Sequence, residues 1–448
     1  MRTIPDDDLP TAAAITPVCA HVLEIELSKP VAGLAQLTDD GRCSDKAWAL
    51  VRLFGEPLGL DVLEIPPAGL SAETVFEAQL DRWIPRLGQG LGMDAEDIRR
   101  EAVREALRAA EGTVFSRAHD EFITRATRCS VVVCTRDRPE DLRLCLSSLA
   151  NQDHPDYAVW VVDNAPESGV TRQVVESFCT SMDIHYVAEP FRGLSRARNK
   201  ALRSDLSGDW VAWLDDDEVA DPIWLTELMR AFDGRPEVVA ASGVVIPAQL
   251  DTQAQIWFEQ FGGHSKGRGF ISDLFSRDSW GRQHPLYPLP PFGVGANMAF
   301  RTEALRMLGG FDEALGAGTP SQGSEDTKIF TDVLLAGGGV AYWPSAVTRH
   351  FHRRDLEGLR RQMRGYGSGL TAFYTASVLG RPSAAIDLIR LFPQALRDIY
   401  SSDSLRVATL EDDFPRDLLA ENRRGMAAGP WLYLLGRIQG RRVGRQGG

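Results

Sequence analysis

The stretch that most restricts the fold of this chain is an apolar run that ends in three consecutive aspartates. Trp210–Leu214 is hydrophobic throughout, and Asp215, Asp216 and Asp217 follow it directly. A parallel strand buried on both faces is almost wholly apolar, and open α/β sheets bind ligands at the carboxyl ends of their strands. Because adjacent carboxylates repel one another, we expect a positive group there, and Mg²⁺ or Mn²⁺ carrying phosphates is the natural candidate. The alternative is an acidic turn that caps a helix over Pro222–Phe232.

From residue 130 onward, short apolar runs alternate with helical patterns. The expected strands are Ser130–Cys134, Ala158–Val162, Ile184–Val187 and the Trp210 run, with a helix in each interval. This alternation predicts βαβ units and a mostly parallel sheet. Polar residues end three of the strands, so Thr135, Arg136, Asp163 and the aspartates would line one edge. Asp163 suits hydrogen bonding to a nucleobase or ribose, or alternatively caps the helix that follows.

Neither of the two common nucleotide-binding motifs is present at this edge. The first strand–helix loop lacks Gly-x-Gly-x-x-Gly, and the chain has no Gly-Lys-Ser/Thr phosphate loop. Arg192, Arg196 and Arg198 lie instead around the start of a helix near Leu194. Arginine is not favoured by the helix dipole there, so these side chains predict phosphate contacts. A solvated helix face accounts for at least one of them.

Composition excludes several classes of protein. The net charge of −13 over 448 residues argues against nucleic acid as a partner. The six cysteines form no Cys-x-x-Cys, which predicts free thiols and no zinc site. The N-terminus has no apolar signal core and no run reaches 18 apolar residues, so we expect a cytoplasmic protein.

The flanking segments predict two further domains. Residues 1–125 are expected to form an accessory α+β domain, with residues 1–15 disordered and a turn at Gly55–Gly59. Helices in this domain are expected to start at Ser71 and Asp94. Residues 126–352 would be the central domain and 353–448 a helical extension. No catalytic constellation occurs in the first domain.

The motifs of the central domain, taken together, resemble a family-2 glycosyltransferase of GT-A fold. They occur in family order as Val132–Arg136, Val161–Asn164, Arg192–Asn199, Leu214–Asp217, Gly295–Arg301, Gly309–Glu313 and Ser324–Asp326. The match covers roughly residues 130 to 350, about half the chain. The resemblance implies an α/β fold with a Rossmann-like, mostly parallel sheet. It implies an inverting transfer of a sugar from a nucleoside-diphosphate sugar to an acceptor hydroxyl.

The same resemblance assigns roles to residues. Asp215 and Asp217 would be the Asp-x-Asp that holds a divalent metal, with Asp217 favoured as the direct ligand and His350 preferred to His352 as a further one. Residues i and i+2 of an extended segment face the same way, so both imidazoles could reach the site. Asp326 would be the catalytic base within the Glu325–Asp326 pair, or would simply cap its helix. The remaining donor-binding candidates are Thr135, Arg136, Asp163, Arg192, Arg198, Asp215 and Asp216.

Several alternatives stay open at this point. A non-catalytic nucleotide-sugar or glycan-binding scaffold would have the same fold, and a nucleotidyltransferase also sets acids beside a nucleotide. The acceptor could be a glycan, a lipid-linked molecule or a small molecule. Two basic segments are Arg353–Arg364 and Trp431–Arg445. They predict contact with the diphosphate of a donor or of a lipid-linked acceptor, contact with the inner face of an anionic membrane, or a solvated helix. The aromatic-rich segment Gln249–Pro291 predicts a lid or acceptor-binding loop, with about half of its aromatics in the core.

Overall fold

The fold is given by a computed structural model that describes residues 16–265, 267–278, 284–286, 292–400, 410 and 413–444. The expectation for residues 1–15, and the aromatics Trp280 and Tyr287 of the predicted loop, lie outside the described residues. Two compact units are present. The first runs to Val114 and takes in Gln249–Gln253, and the second comprises Phe115–Ala248 and the chain from Ala254 onward.

The first unit is a small α+β structure. Its elements are β1 (Thr16–Pro17), β2 (His21–Glu26), β3 (Arg42–Cys43), β4 (Lys46–Leu53), β5 (Glu56–Glu64), α1 (Ala72–Gly90) and α2 (Arg100–Ala109). The order β2-β4-β5 forms a three-stranded sheet. Leu53, Leu80 and Val103 belong to one buried cluster of strand and helix residues. The helices therefore cover the apolar face of this sheet.

Two local predictions for this unit were wrong and one is confirmed. The hairpin turns at Phe54 and Gly55 alone, because β5 already begins at Glu56 and takes up most of the predicted turn. Asp94 precedes a single 3₁₀ turn, and the helix that carries the apolar pattern begins only at Arg100. Ser71 does cap α1, since its hydroxyl accepts the backbone N–H of Thr74 at 3.1 Å.

The second unit alternates strands and helices and then ends in helices. Its elements are α3 (Val114–Ile123), β6 (Cys129–Thr135), α4 (Pro139–Leu149), β7 (Tyr157–Asn164), α5 (Val170–Phe178), β8 (Ile184–Glu189), α6 (Leu194–Leu202), β9 (Trp210–Asp215), β10 (Glu218–Ala220), α7 (Trp224–Arg230), β11 (Val238–Pro247), α8 (Gln253–Gln260), β12 (Asp273–Phe275), β13 (Asn297–Arg301), α9 (Thr302–Met307), α10 (Glu325–Leu335), β14 (Gly339–His350), α11 (Leu356–Gly380), α12 (Ala384–Tyr400) and α13 (Arg416–Gly444). Thus the segment Gln249–Pro291 is not one long loop, since it contains α8 and β12.

A nine-stranded sheet forms the centre of this unit, in the order β10-β14-β11-β13-β9-β6-β7-β8 with β12 beside β14. The pairings give six strands (β6, β7, β8, β9, β11 and β14) one direction and three the other. The predicted α/β fold class with a mostly parallel sheet is therefore confirmed. The periodic leucines of α4, Leu142, Leu146 and Leu149, are fully buried against this sheet as their spacing predicts.

The register of the parallel strands decides what lies at their carboxyl ends. Thr135 pairs with Asp163 across β6 and β7, and Cys134 pairs with Asp215 across β6 and β9. Since adjacent strands lie about 4.8 Å apart, these residues line one edge. Asp215 is the last residue of β9, Asp216 and Asp217 form the turn to β10, and α7 begins only at Trp224. The helix-cap alternative is thereby excluded.

The C-terminal helices belong to the second unit. The glycine-rich run after Arg364 does not end the basic helix, because α11 continues through it to Gly380. Gly367 is required there, since a Cβ at this position would overlap the backbone carbonyl of Asn422 on α13. Tyr433 of α13 donates a hydrogen bond to Asp312 at 2.8 Å, which connects this helix to the segment between α9 and α10. Among the described residues, no helix is both long and apolar enough to cross a membrane.

Candidate functional site

The three aspartates form the centre of a charged cluster at the carboxyl edge of the sheet. The Thr135 hydroxyl donates to Asp216 Oδ2 at 2.7 Å, so the end of β6 fixes this carboxylate. Arg138 Nη1 donates to Asp216 Oδ1 at 3.1 Å and to Asp217 Oδ2 at 2.9 Å. Arg138 was not among the predicted site residues. Arg138 follows β6 by only three positions, and the loop after this strand places its guanidinium beside the two carboxylates. No pattern in the sequence marks it for this position.

This cluster holds more negative charge than its arginines neutralise. Burial, and then the neighbouring Asp217, raise the pKa of Asp216 to about 7. Burial likewise raises the pKa of Asp215, against the opposing effect of Arg198. Glu218 is also buried, and neither of its oxygens meets a donor in hydrogen-bond geometry among the described residues, although Thr348 lies close enough to oppose the rise of its pKa. Such a concentration of acceptors fits a bound cation.

Arg198 links the aspartates to the start of α10. Its guanidinium donates to Asp215 Oδ1 at 3.2 Å and to Glu325 Oε1 at 2.9 Å. A third bond, at 2.9 Å, goes to the carbonyl of Gly295. The side chain is only 2% exposed. Arg198, which the sequence suggested for phosphate binding, is thus engaged by the partly exposed carboxylate of Asp215 and the buried carboxylate of Glu325.

The two acids of the Glu325–Asp326 pair differ in surroundings. Burial raises the pKa of Glu325 to about 7, and its side chain points to Arg198. Asp326 is half-buried, and it accepts the backbone N–H of Gly295 at 2.8 Å and that of Thr327 at 2.6 Å. Two backbone donors fix the orientation of this carboxylate. Asp326 is therefore the acid of the pair that retains access to a ligand.

Asp163 offers a buried acceptor at the same sheet edge. Its Oδ2 accepts the Tyr186 hydroxyl at 2.9 Å, whereas Oδ1 is buried and meets no donor in hydrogen-bond geometry within the described part of the chain. Burial raises the pKa of this carboxyl, and the hydroxyls of Tyr186 and Thr171 oppose the rise. The adjacent Asn164 accepts the N–H of Gly193 at 2.9 Å. The geometry leaves Asp163 Oδ1 available to a ligand N–H or O–H.

The other predicted arginines do not contact the aspartates. Arg136 pairs with Glu167 at 3.0 Å, and Arg196 pairs with Glu313 at 2.9 Å. Arg192 is exposed and makes no ion pair with a residue that the structure describes. Of the four predicted arginines, only Arg198 therefore reaches the acid cluster.

A group of histidines lies next to Asp217 of the acid cluster. His350, at the end of β14, has its Nε2 3.5 Å from Asp217 Oδ1 and its Nδ1 2.7 Å from His352 Nδ1. His352 Nε2 in turn lies 2.7 Å from Glu259 Oε1 on α8. Ligand atoms of His264, His350 and His352 lie within 4.8 Å of one another. His264 and Glu259 were not predicted, because nothing in the sequence connects them to β14.

The spacing of Asp217 and His350 fits two ligands of one metal ion. Burial, then the neighbouring His352, Arg353 and Arg138, hold the pKa of His350 well below its ordinary value, so its imidazole is neutral. A separation of 3.5 Å is too long for a good hydrogen bond. Ligand bonds of about 2.0–2.2 Å place two ligand atoms of one cation about 3.0–3.5 Å apart. The residues present therefore fit a divalent cation.

Comparison with known proteins agrees with the motifs. The family model "Glycosyl transferase family 2" matches residues 130–309. The chain is 34% identical over 220 residues to the succinoglycan biosynthesis protein ExoM of Rhizobium meliloti, covering 48% of this chain and 63% of that protein. It is 26% identical over 196 residues to the glucosyl-dolichyl phosphate glucuronosyltransferase of Haloferax volcanii, covering 42% and 57%. The chain thus spans less than two thirds of these curated relatives.

One similar solved structure is the mannosyltransferase PcManGT from Pyrobaculum calidifontis in complex with GDP-Man and Mn²⁺. The TM-score is 0.44 and the sequence identity 17%, and the match covers 71% of this chain and 94% of that one. S. aureus TarS 1–349 in complex with UDP-GlcNAc is similar with a TM-score of 0.38 and 16% identity, over 69% and 92%.

Proposed function

We propose that this chain, whose residues 130–309 match the model "Glycosyl transferase family 2", is an inverting, metal-dependent glycosyltransferase. It moves a sugar from a nucleoside-diphosphate sugar to an acceptor hydroxyl. One observation carries the proposal. The Arg198 guanidinium donates to Asp215 and to the carbonyl of Gly295, and the N–H of Gly295 donates to Asp326, so one short series of hydrogen bonds connects the aspartates with Asp326.

The proposed metal ligands are Asp215, Asp217 and His350, for Mn²⁺ or Mg²⁺. Two observations support this set: Asp217 Oδ1 lies 3.5 Å from His350 Nε2, and the neighbouring carboxylates of Asp216 and Glu218 are buried. A divalent cation held there would neutralise the charge that develops on the departing diphosphate. Asp216, held by Thr135 and Arg138, would keep the turn in the shape that presents its two neighbours.

Donor binding would then use the rest of the sheet edge. Asp163 Oδ1 is the proposed acceptor for the imide N–H of the base or for a ribose hydroxyl, because it is a buried acceptor that meets no donor among the described residues. Arg138, the half-exposed Arg136 and the exposed Arg192 are the proposed diphosphate contacts. Arg198 would act indirectly, by holding Asp215 in place.

Asp326 is the proposed catalytic base. It would accept the proton of the acceptor hydroxyl while that oxygen bonds to the anomeric carbon and the bond from this carbon to the diphosphate oxygen breaks. Attack from the face opposite the leaving group inverts the anomeric configuration. Glu325 would contribute by its bond to Arg198 and not by contact with the acceptor. The backbone bonds to Asp326 would keep its carboxylate at hydrogen-bond distance from the hydroxyl.

The experiment that tests this assignment compares donor binding and sugar transfer in two variants. Asp326→Asn should abolish transfer and leave donor affinity within about twofold, because the amide cannot accept the proton. Asp217→Ala should weaken donor binding and remove its metal dependence together. Asp205→Asn, at an exposed position on the same unit, is the matched control. Equal loss of donor binding in both site variants would contradict the separation of roles.

The same assay discriminates the alternatives. Release of nucleoside diphosphate with transfer of the sugar identifies a glycosyltransferase, whereas release of pyrophosphate would identify a nucleotidyltransferase. Donor binding with neither transfer nor donor hydrolysis, across glycan, lipid-linked and small-molecule acceptors, would favour the scaffold.

The exposed face of α13 supports a lipid-linked acceptor at the cytoplasmic face of a membrane. Trp431, Leu434 and Ile438 repeat at helical spacing and are 62%, 40% and 48% exposed. Arg437 and Arg441 are exposed beside them. An apolar stripe flanked by arginines is the pattern of a helix that lies on an anionic membrane surface. We therefore assign this face to peripheral membrane contact.

A further inference from the structure

We propose that Arg268 binds an anionic group of the acceptor, a phosphate or a carboxylate, next to the hydroxyl that Asp326 deprotonates. The inference deepens the proposed function and rests on it, because that function places the acceptor at Asp326. Arg268 lies between α8 and β12, inside the segment in which the sequence predicts a lid or an acceptor-binding loop. No motif of the sequence marks this arginine.

The Arg268 guanidinium contacts two backbone carbonyls and, among the described residues, forms no ion pair. Its Nη1 donates to the carbonyl of His264 at 3.1 Å, and its Nη2 donates to that of Gly293 at 3.0 Å. Its Nε is buried and meets no acceptor in hydrogen-bond geometry in the same part of the chain. Two of the five N–H groups of a guanidinium are thus used, and three remain.

The positive charge of Arg268 lacks a paired carboxylate in these surroundings. The side chain is half-buried, and burial lowers its pKa to about 10, against the opposing effects of Tyr342 and Asp326. A group with this pKa stays charged at neutral pH. Removing an unpaired charge from water is costly, and a bound anion offsets that cost. Arginine suits phosphate and carboxylate because two of its N–H groups can donate in parallel to one oxyanion.

One short backbone segment contacts both Arg268 and the proposed base. The carbonyl of Gly293 accepts from Arg268, and the N–H of Gly295 donates to Asp326 at 2.8 Å. A Cβ at Gly295 would come within 2.9 Å of the Asp326 Cβ, so this segment lies directly against Asp326. Asp326 is also the carboxylate that opposes the fall in the pKa of Arg268. The guanidinium therefore lies within electrostatic range of the base.

This position assigns the anion to the acceptor. In a single displacement, the attacking hydroxyl and the departing diphosphate lie on opposite faces of the anomeric carbon. The base contacts the hydroxyl, so a cation near the base lies on the acceptor's face. The diphosphate is assigned to the metal ion and to arginines such as Arg138, which pairs with Asp216 and Asp217. Arg268 is therefore left for a charge on the acceptor.

Packing against β14 orders Arg268 before any ligand binds. Its guanidinium carbon lies 5.8 Å from the centroid of the Tyr342 ring. Tyr342 is buried, and its hydroxyl donates to the carbonyl of Gly269 at 2.8 Å, which holds the backbone next to Arg268. A side chain that is already ordered loses little conformational freedom when it binds a ligand. The arrangement is that of a prepared binding group.

The first experiment measures the binding of three small probes to metal-free protein by ligand-observed NMR. The probes are butyl phosphate, methyl β-glucuronide and the neutral methyl β-glucoside. EDTA removes divalent ions, so that no anion binds through a metal at the aspartate turn. Arg268→Gln should lower the affinity for at least one anionic probe about 10–100-fold, because it removes charge-assisted hydrogen bonds. Arg277→Gln, an exposed arginine of the same segment, is the matched control and should bind like the parent.

The two anionic probes separate the sources of the anion. A loss confined to butyl phosphate would assign Arg268 to the phosphate of a lipid-linked acceptor, and a loss confined to the glucuronide would assign it to an acidic glycan. Equal affinity of the parent and Arg268→Gln for both anions would overturn the inference. An equal loss for the neutral glucoside would also overturn it, because a general change in the loop would then explain every result.

A second variant separates the charge from the structure of the loop. Arg268→Lys keeps the positive charge and cannot reproduce both bonds to carbonyls with the same geometry. An anion-binding role predicts that the lysine variant binds the anionic probes at least about threefold more tightly than the glutamine variant. If the two variants are equally weak, Arg268 only holds the loop together and the inference is wrong.

This inference and the proposed function fail in different ways. If sugar nucleotides bind with Mn²⁺ and no anionic probe depends on Arg268, only the inference is wrong. If Arg268→Gln weakens UDP-glucuronate relative to UDP-glucose and leaves both anionic probes unchanged, the anion belongs to the donor and the acceptor assignment is wrong. If no sugar nucleotide binds the parent, the proposed function fails, and with it the assignment of the anion to an acceptor.

Discussion

Replacement of Arg198 by methionine tests whether this side chain binds substrate or holds the site together. Methionine preserves much of the apolar stem and removes the guanidinium, which makes bonds to Glu325 at 2.9 Å and to Asp215 at 3.2 Å. Because the side chain is 2% exposed, water cannot replace these bonds. Breaking one partner out of a buried ion pair costs about 3–5 kcal/mol. We expect a loss of stability of this size.

The assay is thermal unfolding of the purified, metal-free protein. For a large domain, about 1 kcal/mol corresponds to roughly 2–3 °C, so the midpoint should fall by about 6–15 °C. Adding Glu325→Gln should restore part of the loss, because the double variant no longer contains that uncompensated carboxylate. Arg203→Met, at the C-terminal end of the same helix α6 and 60% exposed, should change the midpoint by no more than about 1 °C.

The opposite result would refute this reasoning. If Arg198→Met unfolds within about 1 kcal/mol of the parent while its donor affinity falls tenfold or more, Arg198 contacts the diphosphate directly. The role suggested by its place near a helix N-terminus would then be correct, and the link between Asp215 and Glu325 would be incidental.

Three further results are expected. In the absence of metal, the free energy of unfolding should fall as the pH rises from about 4 to about 7. The pKa of Asp216 is raised to about 7 in the folded state, so the folded protein binds more protons than the unfolded chain in this window. Asp216→Asn should flatten this part of a series of melting curves recorded at different pH values. Trp431→Ala combined with Ile438→Ala should weaken sedimentation with anionic vesicles about tenfold or more, because each side chain buries apolar surface in the bilayer interface. Exposed Cys179 should react with a thiol reagent in the native protein, whereas Cys129, whose burial raises the pKa of its thiol, should react only after unfolding.

Each of these predictions has an outcome that would contradict it, and the vesicle assay has a control variant. A pH slope that is unchanged in the asparagine variant would mean that other groups cause it. Leu144→Ala, on α4 and 50% exposed, should bind vesicles like the parent. Equal binding of the α13 variant and the parent would remove the membrane assignment. Rapid modification of Cys129 in the native state would show that the start of β6 opens to solvent.

The parallel half of the sheet could be predicted because its signals are local. Each strand from β6 to β9 is a short apolar run, and the polar residue at each end marks where the strand stops. Parallel pairing then brings those ends together without further information, as the pairs Thr135–Asp163 and Cys134–Asp215 show. All six cysteines are free, as their spacing predicts.

The parts that could not be predicted depend on contacts between distant segments. Glu259 and His264 lie close to His350 and His352, which follow about 90 residues later in the chain. No local sequence pattern predicts such a contact. Likewise the glycine-rich run containing Gly367 resembles a helix end, but close packing against α13 keeps it helical.

Arginine roles were the weakest part of the sequence-based reasoning. A position near a helix N-terminus indicates a phosphate contact only if the side chain reaches a ligand, and burial decides that. Arg198 is enclosed between two carboxylates, whereas Arg138, which lies over the aspartates, carries no such positional signal.

The measurement that tests the central claim most directly is a thermal-shift screen of UDP-, GDP- and dTDP-sugars with and without Mn²⁺, on the parent and on Asp217→Ala. If the aspartate turn holds a sugar nucleotide through a cation, one nucleotide class should stabilise the parent only when Mn²⁺ is present. At 100 times the Kd the stabilisation should be about 2.7 kcal/mol, and the variant should show none. Equal stabilisation in EDTA, or in Asp217→Ala, would contradict the claim that these carboxylates bind the donor through a metal ion.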